Sequence, residues 1–335
     1  MIKQQNISFK STDDHRKYVA TVSLLFVLAI IVTFGLLTYN NPVPIDSPSF
    51  IPVVRRRRNA IIAMGIAAIC QAVGSIIFQT VTSNKIITPS ILGFESIYSA
   101  LNTAIMFVLG INTFNSISGK GYFIFQIFLM VGVSLILFLG IFNKKDSNIE
   151  LMLLVGVILG QGLRSLSSFM RRLLTPSEFD ILQARLFASV NNSNPEYFGL
   201  SFLIIGIVIA LIFVSTNKLN VLGLGRDVAI NLGLDYKRLS LFALIGVSIL
   251  ISVSTALIGP MTFYGFLVAN LTYELVKTYD HKSMLIVAIL LAYVILAASY
   301  FVMNHIFNAN GVVSVLIELV GGIAFLIMIF RNDKI

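Results

Sequence analysis

No tryptophan occurs in the 335 residues, only one cysteine is present, and charged side chains make up just 12% of the chain. Each shortage excludes something. A lone Cys70 cannot form an intrachain disulfide and leaves the redox compartment open. The charged fraction is about half of the roughly 25% typical of soluble domains, while 57% of the residues are hydrophobic and mean hydropathy is +0.90. Three histidines, His15, His281 and His305, fall in separate segments outside the apolar runs and read as surface residues rather than metal ligands. No G-x-x-x-x-G-K-[ST] phosphate loop, G-x-S-x-G or H-E-x-x-H occurs. The chain is therefore not expected to be an enzyme or to hydrolyse ATP itself, and it calls for no cofactor and no metal. The net charge of +9 raises the question of nucleic acid. The basic residues stand in short clusters between apolar runs, however, with no aromatic-interleaved basic face, so no nucleic-acid partner is expected.

What is present is a succession of long apolar runs. A helix needs about 20 mostly apolar residues to cross the hydrocarbon core. Ten runs qualify: 18–38, 59–79, 91–111, 122–142, 149–169, 197–215, 239–258, 261–276, 284–303 and 312–330, the eighth short enough to be half-embedded. The first exceeds a signal-peptide core, has no small-residue cleavage site after it, and reads as a retained span. The fold class is all-α, a polytopic membrane bundle forming a single domain over 1–335. The segment from Arg171 to Glu196 reads as an outer loop with a short amphipathic helix. Residues 218–238 form the other sizeable polar stretch, helical in pattern with a glycine-rich entry.

Orientation follows from Lys and Arg in the loops. With the amino terminus and the 1–17 tail inside, fifteen of the 24 fall on the inner side, among them Lys3, Lys10, Lys85, Lys144, Lys145, Lys218, Arg226 and Lys334. Both termini are then cytoplasmic. Four of the nine outer exceptions are consecutive, Arg55 to Arg58, at the head of the second run. If the helix starts near Arg55, then Arg55 and Arg58 share a face one turn apart. They can clamp carboxylates of a docking partner, or snorkel to anionic membrane lipid.

The stretch "LGLGRDVAINLGL", Leu222 to Leu234, combines Gly223 and Gly225 with Arg226, Asp227 and Asn231, and Gly233 supplies a helix stop. It suits a short helix along the cytoplasmic surface. Val228, Leu232 and Leu234 either press into a groove on a soluble partner or belong to an ordinary amphipathic loop helix. Charges within spans are few: Glu95 near a span end, Arg164, expected to snorkel outward, and Glu318, deeper and in need of a polar partner or a wet cavity. Glu95 and Glu318 keep open an ion-gradient-driven secondary transporter as the alternative function. No nucleophile–base pair or ligand cluster within the spans supports an intramembrane enzyme.

Three segments carry a resemblance. "RRRRNAIIAMGIAAICQAVGSIIFQ" (Arg55–Gln79) is similar to an R-x-P-R signature and the small-residue helix that follows it. "TSNKIITPSILGFESIYSA" (Thr82–Ala100) and "STALIGPMTFYGFLVANLTYELV" (Ser254–Val276) resemble a loop with a third-helix entry and a G-P-x-x-F-x-G-L segment. The chain resembles the permease subunit of type II ABC importers for iron chelates and vitamin B12. The resemblance implies ten spans, a dimer of permease subunits, two ATP-binding subunits, and an extracytoplasmic substrate-binding protein, a lipoprotein in a Gram-positive cell. It implies binding-protein docking at Arg55 and Arg58 and ATPase coupling at Leu222, Gly223, Gly225, Arg226, Asp227, Asn231 and Gly233. It also implies an inner gate around Asn84 and Ile86. The wording "TPSILGFESIY" is closest to halves of heterodimeric permeases for ferric catecholate siderophores, though a homodimer stays open. Departures are Arg57 in place of the signature proline, "AASYFVMNH" (Ala297–His305) without the usual Asp and Arg, and "LFASV" (Leu186–Val190) in place of a Trp-x-x-Gly-Ser pattern.

Overall fold

A computed structural model describes residues 9, 11–44, 46–117, 119–142, 149–307 and 313–332. Lys3, Lys10, Lys144, Lys145, Lys334 and most of the 1–17 tail lie outside them. Regular structure among the described residues is helical: α1 (Thr12–Thr38), α2 (Phe50–Thr82), α3 (Phe94–Ser116), α4 (Lys120–Phe142), α5 (Ile149–Arg172), α6 (Pro176–Leu186), α7 (Phe198–Val214), α8 (Thr216–Leu222), α9 (Arg226–Asn231), α10 (Tyr236–Ile258), α11 (Tyr264–Leu275), α12 (His281–His305) and α13 (Val313–Asn332). Among the described residues, eight helices are long and apolar enough to cross a membrane. The ninth and tenth runs of the sequence become α12 and α13, and the eighth becomes the twelve-residue α11.

The bundle is built around α2. Its residues from Ala63 to Val81 are small or β-branched for the most part and nearly all buried. α10 lies along it, and α1, α11 and α12 close the other sides. Hydrogen bonds stitch these contacts inside the apolar core. Gln71 Nε2 donates to Ser254 Oγ (3.3 Å), and the Tyr264 hydroxyl donates to the Ala292 carbonyl (2.6 Å). Gly265 permits the close approach of α11 to α2, since a Cβ there would meet Ser75 Oγ at 2.0 Å. By contrast α1, α5 and α7 leave long apolar faces open, including Phe26, Ile30, Phe34, Leu154, Phe169 and Leu203, as expected of helices that face lipid or another subunit.

The second helix does not begin near Arg55. It starts at Phe50, so the four arginines occupy its second and third turns. The reason is local to α1, which ends at Thr38 with its last carbonyls unpartnered. The Arg57 guanidinium donates to the carbonyls of Leu36, Leu37, Tyr39 and Asn40 at 2.9 to 3.2 Å. A cation there also opposes the negative end of the helix dipole.

Between α2 and α3 the chain is irregular. Ser83 turns in the left-handed region (φ 49°), residues 84–88 run without helix, and Pro89–Leu92 form a 3-10 turn. Gly93 (φ 85°) then starts α3 against α5, where an added Cβ would lie 3.4 Å from the Gly160 Cα. The capping box predicted from neither loop length nor hydropathy appears on α6. Thr175 accepts from the Glu178 backbone, and the Glu178 carboxylate accepts from the Thr175 N–H and hydroxyl. These hydrogen bonds hold the Glu178 carboxyl below its usual range.

Candidate functional site

Three polar regions lie along the bundle. Near the amino-terminal end of α2, Arg55, Arg56 and Arg58 are exposed, and Arg57 is half-buried in its capping role. Arg55 and Arg56 line a hollow of about 410 Å³ with Asn59, Asn191, Ser193 and Pro195. Arg55 and Arg58 make no ion pair among the described residues, which leaves both guanidinium groups open to an incoming carboxylate.

Glu95 stands in the first turn of α3. Its two oxygens accept from the hydroxyls of Ser90 (3.1 Å) and Thr262 (2.7 Å), tying the irregular 84–93 segment to the approach of α11. Glu318 on α13 and Arg164 on α5 are within electrostatic reach of it. Arg164, expected to snorkel outward, is exposed, and its Nε also donates to Ser96 Oγ on α3 at 2.9 Å, where Gly160 lets α5 approach the start of α3.

The carboxy-terminal end of α2 carries a node that the sequence does not announce. His281, expected at the surface, is only 3% exposed. It opens α12, where its ring reaches two other helices. Nδ1 faces Asn220 Oδ1 on α8 (2.7 Å) and Nε2 faces Thr80 Oγ1 on α2 (2.7 Å). Asn220 Oδ1 also accepts from the His281 backbone (2.8 Å), so its oxygen collects two donors while its amide donates to Asp280 Oδ1 (3.2 Å). That arrangement makes Nδ1 the donor. Asp280 caps α12 through Ser283. Burial pushes the Asp280 carboxyl up, but hydrogen bonds from Ser283, Asn220 and the helix N-terminus more than offset this and hold it below its usual range.

Around this node is a cavity of about 490 Å³ lined by Gln79, Ser83 and Lys85 from the end of α2, Gly223 and Leu224 from the end of α8, and Tyr273 from α11. Asn84 and Ile86 flank Lys85 in sequence but do not line the cavity. The Asn84 side chain accepts from the Ile86 N–H (2.9 Å), and Lys85 is held between its carbonyl, bonded by Gln79 Nε2 (2.8 Å), and the Tyr273 ring beneath its ammonium (4.8 Å). Leu222 is fully buried and Gly223 packs 3.6 Å from the His281 ring by the position of an added Cβ. Gly225 (φ 99°) and Gly233 (φ 84°) bracket α9. Its Arg226, Asp227 and Asn231 are exposed, with Val228 and Leu232 exposed beside them and Ala229 buried. Of the residues expected at the gate and in coupling, Gly223 alone lines this cavity, and Lys85 brings the loop that holds Asn84 and Ile86 to its wall. Glu95 with Glu318, and Arg55 with Arg58, lie apart from it.

Comparison with known proteins fits this layout. The FecCD transport family matches residues 19–331. The chain belongs to that family. The petrobactin import system permease protein FatC of Bacillus anthracis is 52% identical over 97% of this chain and 92% of its own length. The petrobactin import system permease protein YclO of Bacillus subtilis is 36% identical over 93% of this chain and 98% of its own. Among solved structures, an inward-facing metal-chelate type ABC transporter superposes with a TM-score of 0.79 at 20% identity, covering 94% of this chain and 99% of that one. As a FecCD chain the protein is a multi-pass membrane permease of an ATP-driven importer, with ATP hydrolysis in separate subunits. Within this FecCD framework the missed residues are Arg57, Asn220 and His281. The sequence carries a local signal for Asp280 as a helix cap, but none for the burial of the His281 that follows it.

Proposed function

We propose that the chain is one half of a heterodimeric permease that carries a ferric siderophore of the petrobactin kind inward across the cytoplasmic membrane. The observation that carries this is an asymmetry of identity. The chain is 52% identical to FatC but 24% identical to FatD of the same organism, and 36% identical to YclO but 24% identical to YclN. Each pair is named for one petrobactin import system. A chain that sides with one member of both pairs calls for the other member as its partner, and its substrate is the catecholate-type chelate that the sequence resemblance favoured.

Residues 1–335 act as one permease domain with both termini in the cytoplasm, in keeping with the Lys and Arg bias of the loops. A loaded substrate-binding protein docks at Arg55 and Arg58 on the outer face. Docking charges of this kind set orientation and association rate. Two ATP-binding subunits press on Gly223 to Gly233 from below, and their closure is relayed to the gate at Asn84 and Ile86 past the cavity that Gly223 and Lys85 line. The energy for each change of state comes from those subunits, since only a differential interaction shifts an equilibrium.

The test is radiolabelled-iron uptake in cells expressing the chain with and without a FatD-like second permease, under ATP depletion or under collapse of the ion gradients. Uptake of the ferric petrobactin complex that needs both permeases and ATP supports the proposal. Uptake by this chain alone overturns the heterodimer. Uptake that survives ATP depletion and fails with the gradient overturns the ATP-driven mechanism.

A further inference from the structure

α5 carries a polar stripe on its exposed side. Gln161, Arg164, Ser168 and Arg171 recur at helical spacing, and all but Arg171 are exposed. On a membrane helix such a stripe is costly against lipid and belongs to a wet cavity or a protein contact. The two arginines are seven residues apart, about 10 Å along the axis, with Arg171 in the last turn of α5, too widely spaced for one headgroup to engage both. Both are aimed by neutral hydroxyls of α3. Arg164 donates to Ser96 (2.9 Å), and Arg171 donates to Ser99 and Thr103. Neither forms an ion pair among the described residues. The carboxylate beside them, Glu95, is committed to Ser90 and Thr262. Arg164 and Arg171 line one cavity of about 350 Å³ with Gln183, Phe187 and Pro260. Part of its wall is irregular backbone around Phe187 and Pro260, which at membrane depth is tolerated where it lines a water-filled space or is buried in protein.

We propose that Arg164 and Arg171 form an anion-binding station of the translocation path, where the carboxylate or phenolate oxygens of an anionic ferric chelate are held on their way to the inner gate. The station rests on the importer reading above. Serine hydroxyls orient the guanidinium groups without neutralising them, so each keeps N–H donors for ligand oxygens. Two cations against one engaged carboxylate leave the cavity positive, favouring a negatively charged cargo over a neutral one.

The test uses the whole importer in proteoliposomes, with both permeases, the ATP-binding subunits and an excess of binding protein loaded with an anionic catechol–carboxylate ferric chelate. Arg164→Gln and Arg171→Gln should each lower the maximal transport rate about tenfold, the scale of one charge-assisted hydrogen bond. Arg164→Lys and Arg171→Lys should keep most of it. Binding-protein affinity should be unaltered. Gln variants that transport at the unaltered rate overturn the station. So do Gln variants that lose the second permease on purification, since the arginines then clamp the partner subunit instead. If the unaltered importer carries no anionic chelate, the importer reading itself falls, and the station falls with it.

Discussion

Thr80 Oγ1 and His281 Nε2 lie 2.7 Å apart, joining the inner end of α2 to the first residue of α12, and the other ring nitrogen reaches Asn220 on α8 at 2.7 Å. One imidazole therefore spans the helix that leads to the gate loop and the helix that leads to the exposed α9. His281→Ala leaves Thr80 and Asn220 without this partner in a buried site, at a cost of about 1–3 kcal/mol. In the assembled importer, chelate moved per ATP hydrolysed should fall severalfold while ATP hydrolysis continues. An unchanged ratio, measured in proteoliposomes, would remove this node from coupling.

Arg57 and Arg55 should separate cleanly. Arg57→Ala frees four carbonyls at the end of α1 and should destabilise the solubilised protein by about 1–3 kcal/mol, read as a lower melting temperature. Arg57→Lys should recover only part, because an ammonium cannot fork across four acceptors. Arg55→Ala should leave melting unchanged, as its guanidinium is exposed.

Reversing the outer charges tests docking. Arg55→Glu with Arg58→Glu should slow association of the loaded binding protein by tenfold or more and weaken its salt dependence, with membrane abundance unchanged. Surface-plasmon measurement of the association rate at two salt concentrations decides it. An unaltered rate would mean that these arginines meet lipid.

The contact of α11 with α2 should tolerate no added carbon. Gly265→Ala places a Cβ 2.0 Å from Ser75 Oγ, and overpacking of this kind costs about 1–3 kcal/mol. Adding Ser75→Ala should recover part of the loss. The two changes are therefore expected to be non-additive, which thermal melting of the single and double variants would reveal.

On α9, Val228→Ser with Leu232→Ser should spare folding, since both side chains are exposed. Co-purification of the ATP-binding subunits should drop sharply if these residues fill a groove on them. Full recovery of the complex would restrict coupling to the polar residues of α9.

Apolar runs, loop charges and glycines made the bundle legible before any coordinates. The short helix after Pro176, the α9 stop at Gly233 and the half-length α11 all have local signals. What stayed hidden depends on contacts distant in sequence. Arg57 caps carbonyls 17 to 21 residues back, so the arginine run looked uniform when one member was already engaged. His281 meets Thr80 from 201 residues away, and a histidine beside an aspartate after a loop carries no mark of burial. Arg164 looked like a headgroup contact because the serine that holds it lies 68 residues earlier, on α3.

The twelve residues of α11 span only about 18 Å as a helix, against roughly 30 Å of hydrocarbon. Such a segment cannot partition into the bilayer by its own hydropathy. It needs α2 and α12 already in place to receive it, the first through the Gly265–Ser75 contact and the second through the Tyr264–Ala292 hydrogen bond. α1, by contrast, is apolar enough to cross alone and is largely exposed. Helix length thus sets an expected order of membrane insertion, in which α11 settles only once α2 and α12 are there to receive it.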